Sequence, residues 1–294
     1  MQSAKRILMV RPANFGFNAQ TAVSNSFQKE DEIENAQQMA LEEFDAFVSQ
    51  LHQANIDVHV AQDSIIPPKP DAIFPNNWFS VHESGDVFIY PMLTENRREE
   101  VRLDLLSHVL DESHRLTDLR NDFSEILEGT GSLVLDRQNK IAYACLSERT
   151  SLNMFLQWCG RMEYSPVYFS AINAGVPIYH TNVVMTITTD FVILCLECVS
   201  DKQEQMALKE SLVKSGRRIL EISIQQMNHF CGNALEVLNM QDEKYFVCSR
   251  TALNNFTEDQ LNTIGSFCEF IVADISTIES IGGGSARCML AEIF

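Results

Sequence analysis

The 294-residue chain has no run approaching the ~20 consecutive apolar residues that a membrane helix needs. Its opening stretch, "MQSAKRILMVRP", holds too short an apolar run for a signal peptide. A cytoplasmic location is therefore expected. Basic charge is scarce: 22 Lys and Arg face 40 Asp and Glu, a net charge of −18. Nucleic acids and anionic membranes both reward basic patches, so neither is an expected partner. An acidic exterior can still enclose a pocket that holds arginines. Low-complexity segments and Pro/Gly-rich linkers are missing too. No domain boundary is visible, and residues 1–294 read as a single domain. A chain of this length buries most of its unfolded surface without covalent staples. No Gly-rich loop joins a strand to a helix, which speaks against a doubly wound nucleotide-binding fold. "GGGS" lies too near the end of the sequence to lead into such a helix.

The eight cysteines are then expected to be thiols. Cys145, Cys195, Cys198 and Cys248 fall in apolar, strand-like runs, where free cysteine packs as a small hydrophobe. "CLEC" has CxxC spacing, but it reads as mid-strand and no second Cys/His pair follows at zinc-finger distance. No His/Asp/Glu cluster has ligand spacing either. Neither a metal nor a cofactor is expected.

What the chain does have is a repeat of layout. Helix-like segments begin near residues 31, 95, 150, 202 and 257, a period of roughly 50 to 65 residues. The first puts Ile33, Ala36, Met39, Ala40, Phe44, Phe47 and Leu51 on one stripe. The second, "ENRREEVRLDLLSHVLDE", places Val101, Leu105 and Val109 similarly. Thr257 followed by Gln260 reads as a capping box. Short β-rich runs flank each helix, so the class is α/β, and five such units can close into a ring that covers its own edges. Upstream of each later helix stands a polar break: "FPNN", "LEGTG", "YHTN" and "FCGN", with "GGGSARC" ending the sequence. In a ring, equivalent positions face one axis. Asn77, Glu128, His180, Asn233 and Cys288 would then converge; as ordinary strand-end loops they would not.

Each candidate has a bland reading beside its chemical one. Cys288 follows flexible glycines and sits next to Arg287, whose charge would favour a thiolate; alone, such a cysteine is more often structural. His180 suits a proton shuttle at neutral pH, or is a hydrogen-bonded strand-end histidine. Glu128 can accept substrate N–H groups, or sits as a surface acid beside a turn. Arg149 in "CLSERTS" can grip a carboxylate with a bidentate fork. Arg97 and Arg98 can do the same, or pair with Glu99 and Glu100 on a helix surface. Asn14 and Asn18 belong to a substrate loop or merely to a turn.

In this order, the motifs resemble the guanidine-modifying enzymes: arginine deiminases, dimethylarginine dimethylaminohydrolases and amidinotransferases. The resemblance runs over the whole chain through "LEG", "SERT", "YHTN" and the Gly-rich segment before Cys288. It implies a five-bladed β/α propeller, the pentein fold, with pseudo-fivefold symmetry. It implies Cys288, His180 and Glu128 as catalytic residues and Arg149 as a substrate-carboxylate ligand. A second such arginine is expected in "NRREE", at Arg98. The family normally has an acid at Asn77 and often another at Asn182. "RPANFGFNAQTAVSNSFQ", "FPNNWFS" and "YPMLTENRR" resemble the citrulline-utilisation hydrolases in particular.

The chemistry agrees with that branch. A guanidinium offers only N–H donors and wants carboxylates, whereas a ureido group mixes a carbonyl with N–H donors, as an amide does. Asn77 and Asn182, with Asn76 beside them, are accordingly expected to contact the substrate. The expected activity is cysteine-dependent hydrolysis of the L-citrulline ureido group to ornithine, carbon dioxide and ammonia through an S-carbamoyl enzyme. A neutral substrate cannot help ionise the thiol, so a protonated His180 or Arg287 is expected to do so. Alternatives are a deiminase or dihydrolase acting on arginine, another amidinotransferase-like activity, and an inactive amino-acid-binding module. The expected partner is a small molecule; a homo-oligomer is left open.

Overall fold

A computed structural model describes residues 1–25, 27–29, 34–120 and 125–294. The described residues form seventeen short strands: β1 (Arg6–Arg11), β2 (Asp57–Gln62), β3 (Phe79–Val81), β4 (Asp86–Ile89), β5 (Arg115–Asp118), β6 (Val134–Asp136), β7 (Ile141–Cys145), β8 (Ser165–Phe169), β9 (Ile172–Asn173), β10 (Val176–Pro177), β11 (Met185–Ile187), β12 (Phe191–Leu194), β13 (Arg218–Glu221), β14 (Leu235–Leu238), β15 (Lys244–Ser249), β16 (Glu269–Ala273) and β17 (Ala291–Ile293). Fifteen of them form five three-stranded mixed sheets, ordered β17-β1-β2, β3-β4-β5, β6-β7-β8, β11-β12-β13 and β14-β15-β16; β9 and β10 pair separately.

Every three-stranded sheet obeys one rule. Its first two strands are antiparallel and its last two parallel. Antiparallel neighbours can be joined by a tight turn, whereas parallel ones need a long crossover. The crossovers carry the helices Ala36–Gln53, Leu152–Met162, Lys202–Lys214 and Glu258–Gly265. The first sheet follows the rule only because β17, from the end of the chain, pairs with β1.

The helix Ala36–Gln53 buries Ala40, Phe44, Phe47 and Leu51, as their spacing implies, but leaves Met39 exposed at 41%. The expected start of this helix near residue 31, and Ile33 with it, lie outside the described residues. The capping box at Thr257 and Gln260 is present. The second crossover differs from expectation. "ENRREEVRLDLLSHVLDE" is not one helix but two single turns, Glu95–Arg98 and Leu103–Leu106. Arg97 and Glu100 both turn inward and are buried, which breaks the amphipathic pattern that a surface helix needs. "CLEC" is corrected as well: β12 ends at Leu194, and Leu196–Cys198 forms a 3-10 turn in which the Cys198 thiol donates to the Cys195 carbonyl. No helix among the described residues is long and apolar enough to cross a membrane.

Immediately before the first strand of each sheet comes a short turn. These are Pro75–Asn77, Gly129–Ser132, Thr181–Val184, Gly232–Ala234 and Ala286–Met289. The turns carry the polar side chains described next. Phe44 is fully buried against the first sheet's core. Phe44→Ala is expected to cost about 3–5 kcal/mol in urea unfolding, the usual range for an emptied aromatic site. Met39→Ala, on the exposed side of the same helix, should stay within about 0.5 kcal/mol.

Candidate active site

Cys288 lines a narrow cleft. His180, Asn77, Arg97, Arg149, Asp71 and Tyr179 line it with Gly282, Gly283 and Gly284. Glu128 and His180 are the residues leading into their turns, and both are almost fully buried. Glu128 Oε2 lies 2.8 Å from His180 Nε2, 3.7 Å from Arg149 Nη1 and 3.9 Å from Arg97 Nη1. Burial alone would push the Glu128 carboxyl up. The Arg149 charge, the His180 hydrogen bond and Arg97 outweigh it and hold the group at about 2. His180 goes down, to about 4, because burial disfavours the imidazolium and the two arginines add to that; Glu128 opposes only in part. At neutral pH the pair is a carboxylate and a neutral imidazole. With Glu128 accepting at Nε2, the proton sits there and Nδ1 is left as the acceptor.

Nδ1 reaches its place because residue 131 is glycine. A Cβ there would lie 2.8 Å from His180 Nδ1 and 2.3 Å from Asn77 Nδ2. The orientation of Asn77 is set by Arg97, whose Nη1 donates to Oδ1 at 3.0 Å. Among the described residues its buried Nδ2 has no hydrogen-bond partner.

Of the two adjacent arginines, Arg97 enters the cleft and Arg98 does not, a correction to the expectation from sequence. Successive helical residues point ~100° apart, so only one can face inward. Arg98 is exposed and donates to the Met92 and Leu93 carbonyls, 3.0 Å each. Arg97 is buried and forks onto Glu100, three residues on along the same face. Arg97 is held strongly in its charged form by this pairing, while burial leaves Glu100 raised to about 7.

Arg149 donates to Ser24 Oγ at 2.7 Å and to the Thr21 carbonyl at 3.1 Å, and lies over the Tyr179 ring. Both partners belong to the segment around the short helix Ala19–Ala22, whose neighbour Asn25 lines the cleft. Asn18 caps that helix and donates to Asp71 Oδ2 at 2.7 Å. Asn14 does not line the cleft. Asp71, missed in the sequence, is fully buried and raised by that burial, against the pull of Arg97. Nothing in "KPDAIF" marks it as different from a loop acid. Tyr179, also missed, donates to the Gly283 carbonyl at 2.9 Å.

Three expectations need revision. Arg287 sits next to the nucleophile candidate in sequence, but its guanidinium is taken up by other groups, donating to the Leu290 carbonyl at 2.9 Å and pairing with Glu292 at 3.2 Å. Asn76 is fully buried and does not line the cleft; its main-chain carbonyl accepts from Thr130 Oγ1. Asn182 lines a second cavity, shared with Arg287 and Glu292, and meets the sulfur from behind, Nδ2 to Sγ 3.6 Å. Asn233 also touches the sulfur. Among the described residues, no group of three or more His, Cys, Asp or Glu side chains is placed to hold a metal ion.

Known structures share this architecture. The N-terminal domain of ArgZ, an arginine dihydrolase from the ornithine-ammonia cycle in cyanobacteria, matches in its substrate-bound form with a TM-score of 0.76 at 14% identity, over 98% of both chains. AgrE in complex with L-arginine gives 0.77 at 13% identity. The chain spans only 40% of the length of full ArgZ and of AgrE. DDAH from Pseudomonas aeruginosa, a cysteine-to-serine mutant complexed with citrulline, gives 0.68 at 15% identity, over 98% of this chain and 99% of that one. At these identities the likeness is one of fold. No curated protein matches by sequence. The family model for N,N dimethylarginine dimethylhydrolase, eukaryotic, matches residues 11–294. The chain therefore belongs to that family.

Proposed function

We propose that the chain is a cysteine-dependent hydrolase of the citrulline-utilisation branch, cleaving the ureido group of L-citrulline. The observation that carries this reading is the amide surround of the sulfur. Asn77 lines the cleft with the thiol, an amide where a cationic head group would favour a carboxylate, and Asn182 and Asn233 touch the sulfur from behind. The unpartnered Asn77 Nδ2 is a donor suited to a ureido oxygen.

In this mechanism neutral His180 takes the thiol proton on Nδ1. The Cys288 sulfur bonds to the ureido carbon, and the bond from that carbon to the side-chain nitrogen breaks. The imidazolium returns its proton to that nitrogen, releasing ornithine and leaving Cys288 carbamoylated. Water, deprotonated by His180, then adds to the carbamoyl carbon and the C–S bond breaks. The thiol is restored, and the carbamic acid released falls to carbon dioxide and ammonia. Covalent catalysis of this kind replaces one hard displacement with two easier ones. Arg149 would exchange its neutral acceptors, Ser24 and Thr21, for the substrate carboxylate, a stronger charge-assisted pair. Arg97 adds its charge to the same end of the cleft.

The five sheets are read here as the blades of one closed propeller over residues 1–294, with pseudo-fivefold symmetry. Support comes from the β17–β1 pairing and from the contacts of β17 with β3, β6 with β11 and β11 with β14. A second reading, hydrolysis of arginine, is favoured by one feature: Asp71 and Glu128 put two buried carboxylates beside the arginines.

Supplied separately with citrulline and arginine, the purified protein should release ornithine from citrulline and leave arginine untouched; citrulline or ornithine formed from arginine alone would reverse the assignment. Cys288→Ser should abolish turnover. Arg149→Lys keeps the charge but loses the fork, and should raise KM about tenfold or more with a smaller loss in kcat. His180 is a base only when neutral, so the acid limb of kcat/KM should fall near pH 4. A limb near the ordinary histidine value of about 6.5 would show that burial does not set its state.

A further inference from the structure

A nucleophilic cysteine needs something to favour its thiolate, and the usual source is a neighbouring positive charge. Here the two sources expected from the sequence are spent or absent. Arg287 is committed to Glu292 and the Leu290 carbonyl, and His180 is neutral at physiological pH. A ureido substrate brings no charge of its own.

What touches the sulfur is amide. Asn233 Nδ2 lies 3.3 Å from Cys288 Sγ, and Asn182 Nδ2 lies 3.6 Å from it. Asn233 is fixed rather than merely near. Its Nδ2 also donates to the Asn182 main-chain carbonyl at 3.0 Å, so one amide hydrogen is anchored and the other is left for sulfur. The anchor depends on Gly232: a Cβ there would lie 2.2 Å from the Val183 carbonyl oxygen, so only glycine lets the two turns meet. Asn233 Oδ1 lies 3.6 Å from the sulfur, within reach of the thiol proton before ionisation. Neither asparagine lines the cleft.

We propose that Asn233, with Asn182 beside it, is a catalytic residue that stabilises the Cys288 thiolate by amide N–H donation from behind, in place of a cationic neighbour. This rests on reading Cys288 as the nucleophile. It extends that reading by making the sulfur reactive without help from substrate charge, which a neutral ureido substrate requires. The proton lost from sulfur goes to His180 or, in the free enzyme, to solvent.

The test is alkylation of Cys288 by iodoacetamide across pH in substrate-free, full-length protein, scored on the Cys288 peptide because seven other thiols are present. Asn233→Ala removes the donor, and alkylation at pH 7 should slow about tenfold or more, the worth of one hydrogen bond to a charged group. The profile as a whole should move to higher pH, which a merely structural role would not produce. Asn233→Asp keeps the shape but opposes the thiolate charge, and should slow alkylation further; it carries the test if the alanine variant fails to fold. Wild-type profiles in the folded variants would overturn the proposal. Citrulline turnover is measured separately. Slowed alkylation in a protein that ignores citrulline would leave this inference standing and remove the substrate assignment. Turnover with unmoved profiles would do the reverse.

Discussion

The arrangement of the cleft depends on one buried carboxylate. Glu128 is shielded from water yet remains charged, because Arg149 and Arg97 flank it and His180 donates to it. Removing such a charge from a buried cluster leaves its partners unpaired, a cost of several kcal/mol. Through that one group the chain fixes the proton of His180 on Nε2, leaves Nδ1 as the acceptor, and holds two guanidiniums 3.7 and 3.9 Å from the same carboxylate oxygen. The five short turns bring these groups together from positions far apart in sequence. Glycines at 131 and 232 let neighbouring turns approach closely enough for side chains to meet.

The charge balance divides the cleft in two. One end is ionic: Arg97, Arg149, Asp71, Glu100 and Glu128 form a buried network suited to the zwitterionic head of an amino acid. Behind the sulfur stand the amides of Asn182 and Asn233, and Asn77 lines the cleft with it. Under the proposed assignment the substrate brings a charged α-carbon to the arginines and an uncharged ureido terminus to Asn77 and Cys288. The carboxylates near the arginines do not contradict this, since they neutralise protein charge. Family membership sets the general chemistry, and the amides set the proposed choice of substrate within it.

Much of this was legible in the sequence, for identifiable reasons. Apolar periodicity placed the helix through Phe44 and Leu51, and the polar breaks before β3, β6, β11, β14 and β17 marked the turns. What failed needed three dimensions. The helix expected through Arg98 and Val101 broke because Arg97 and Glu100 satisfy each other inside the protein, and no periodic pattern reveals a buried ion pair. Arg287 was misplaced because adjacency in sequence does not set direction: the turn Ala286–Met289 sends Cys288 and Arg287 to different cavities. Asp71 was invisible because its role comes from the segment around Asn18 and Thr21 closing onto it.

The most direct test of the account is to trap its intermediate. Protein mixed with citrulline labelled at the ureido carbon and quenched in acid within one turnover should carry a labelled carbamoyl group on the Cys288 peptide, and none in Cys288→Ser. An unmodified Cys288 with citrulline, together with an amidino adduct when arginine is supplied, would contradict it.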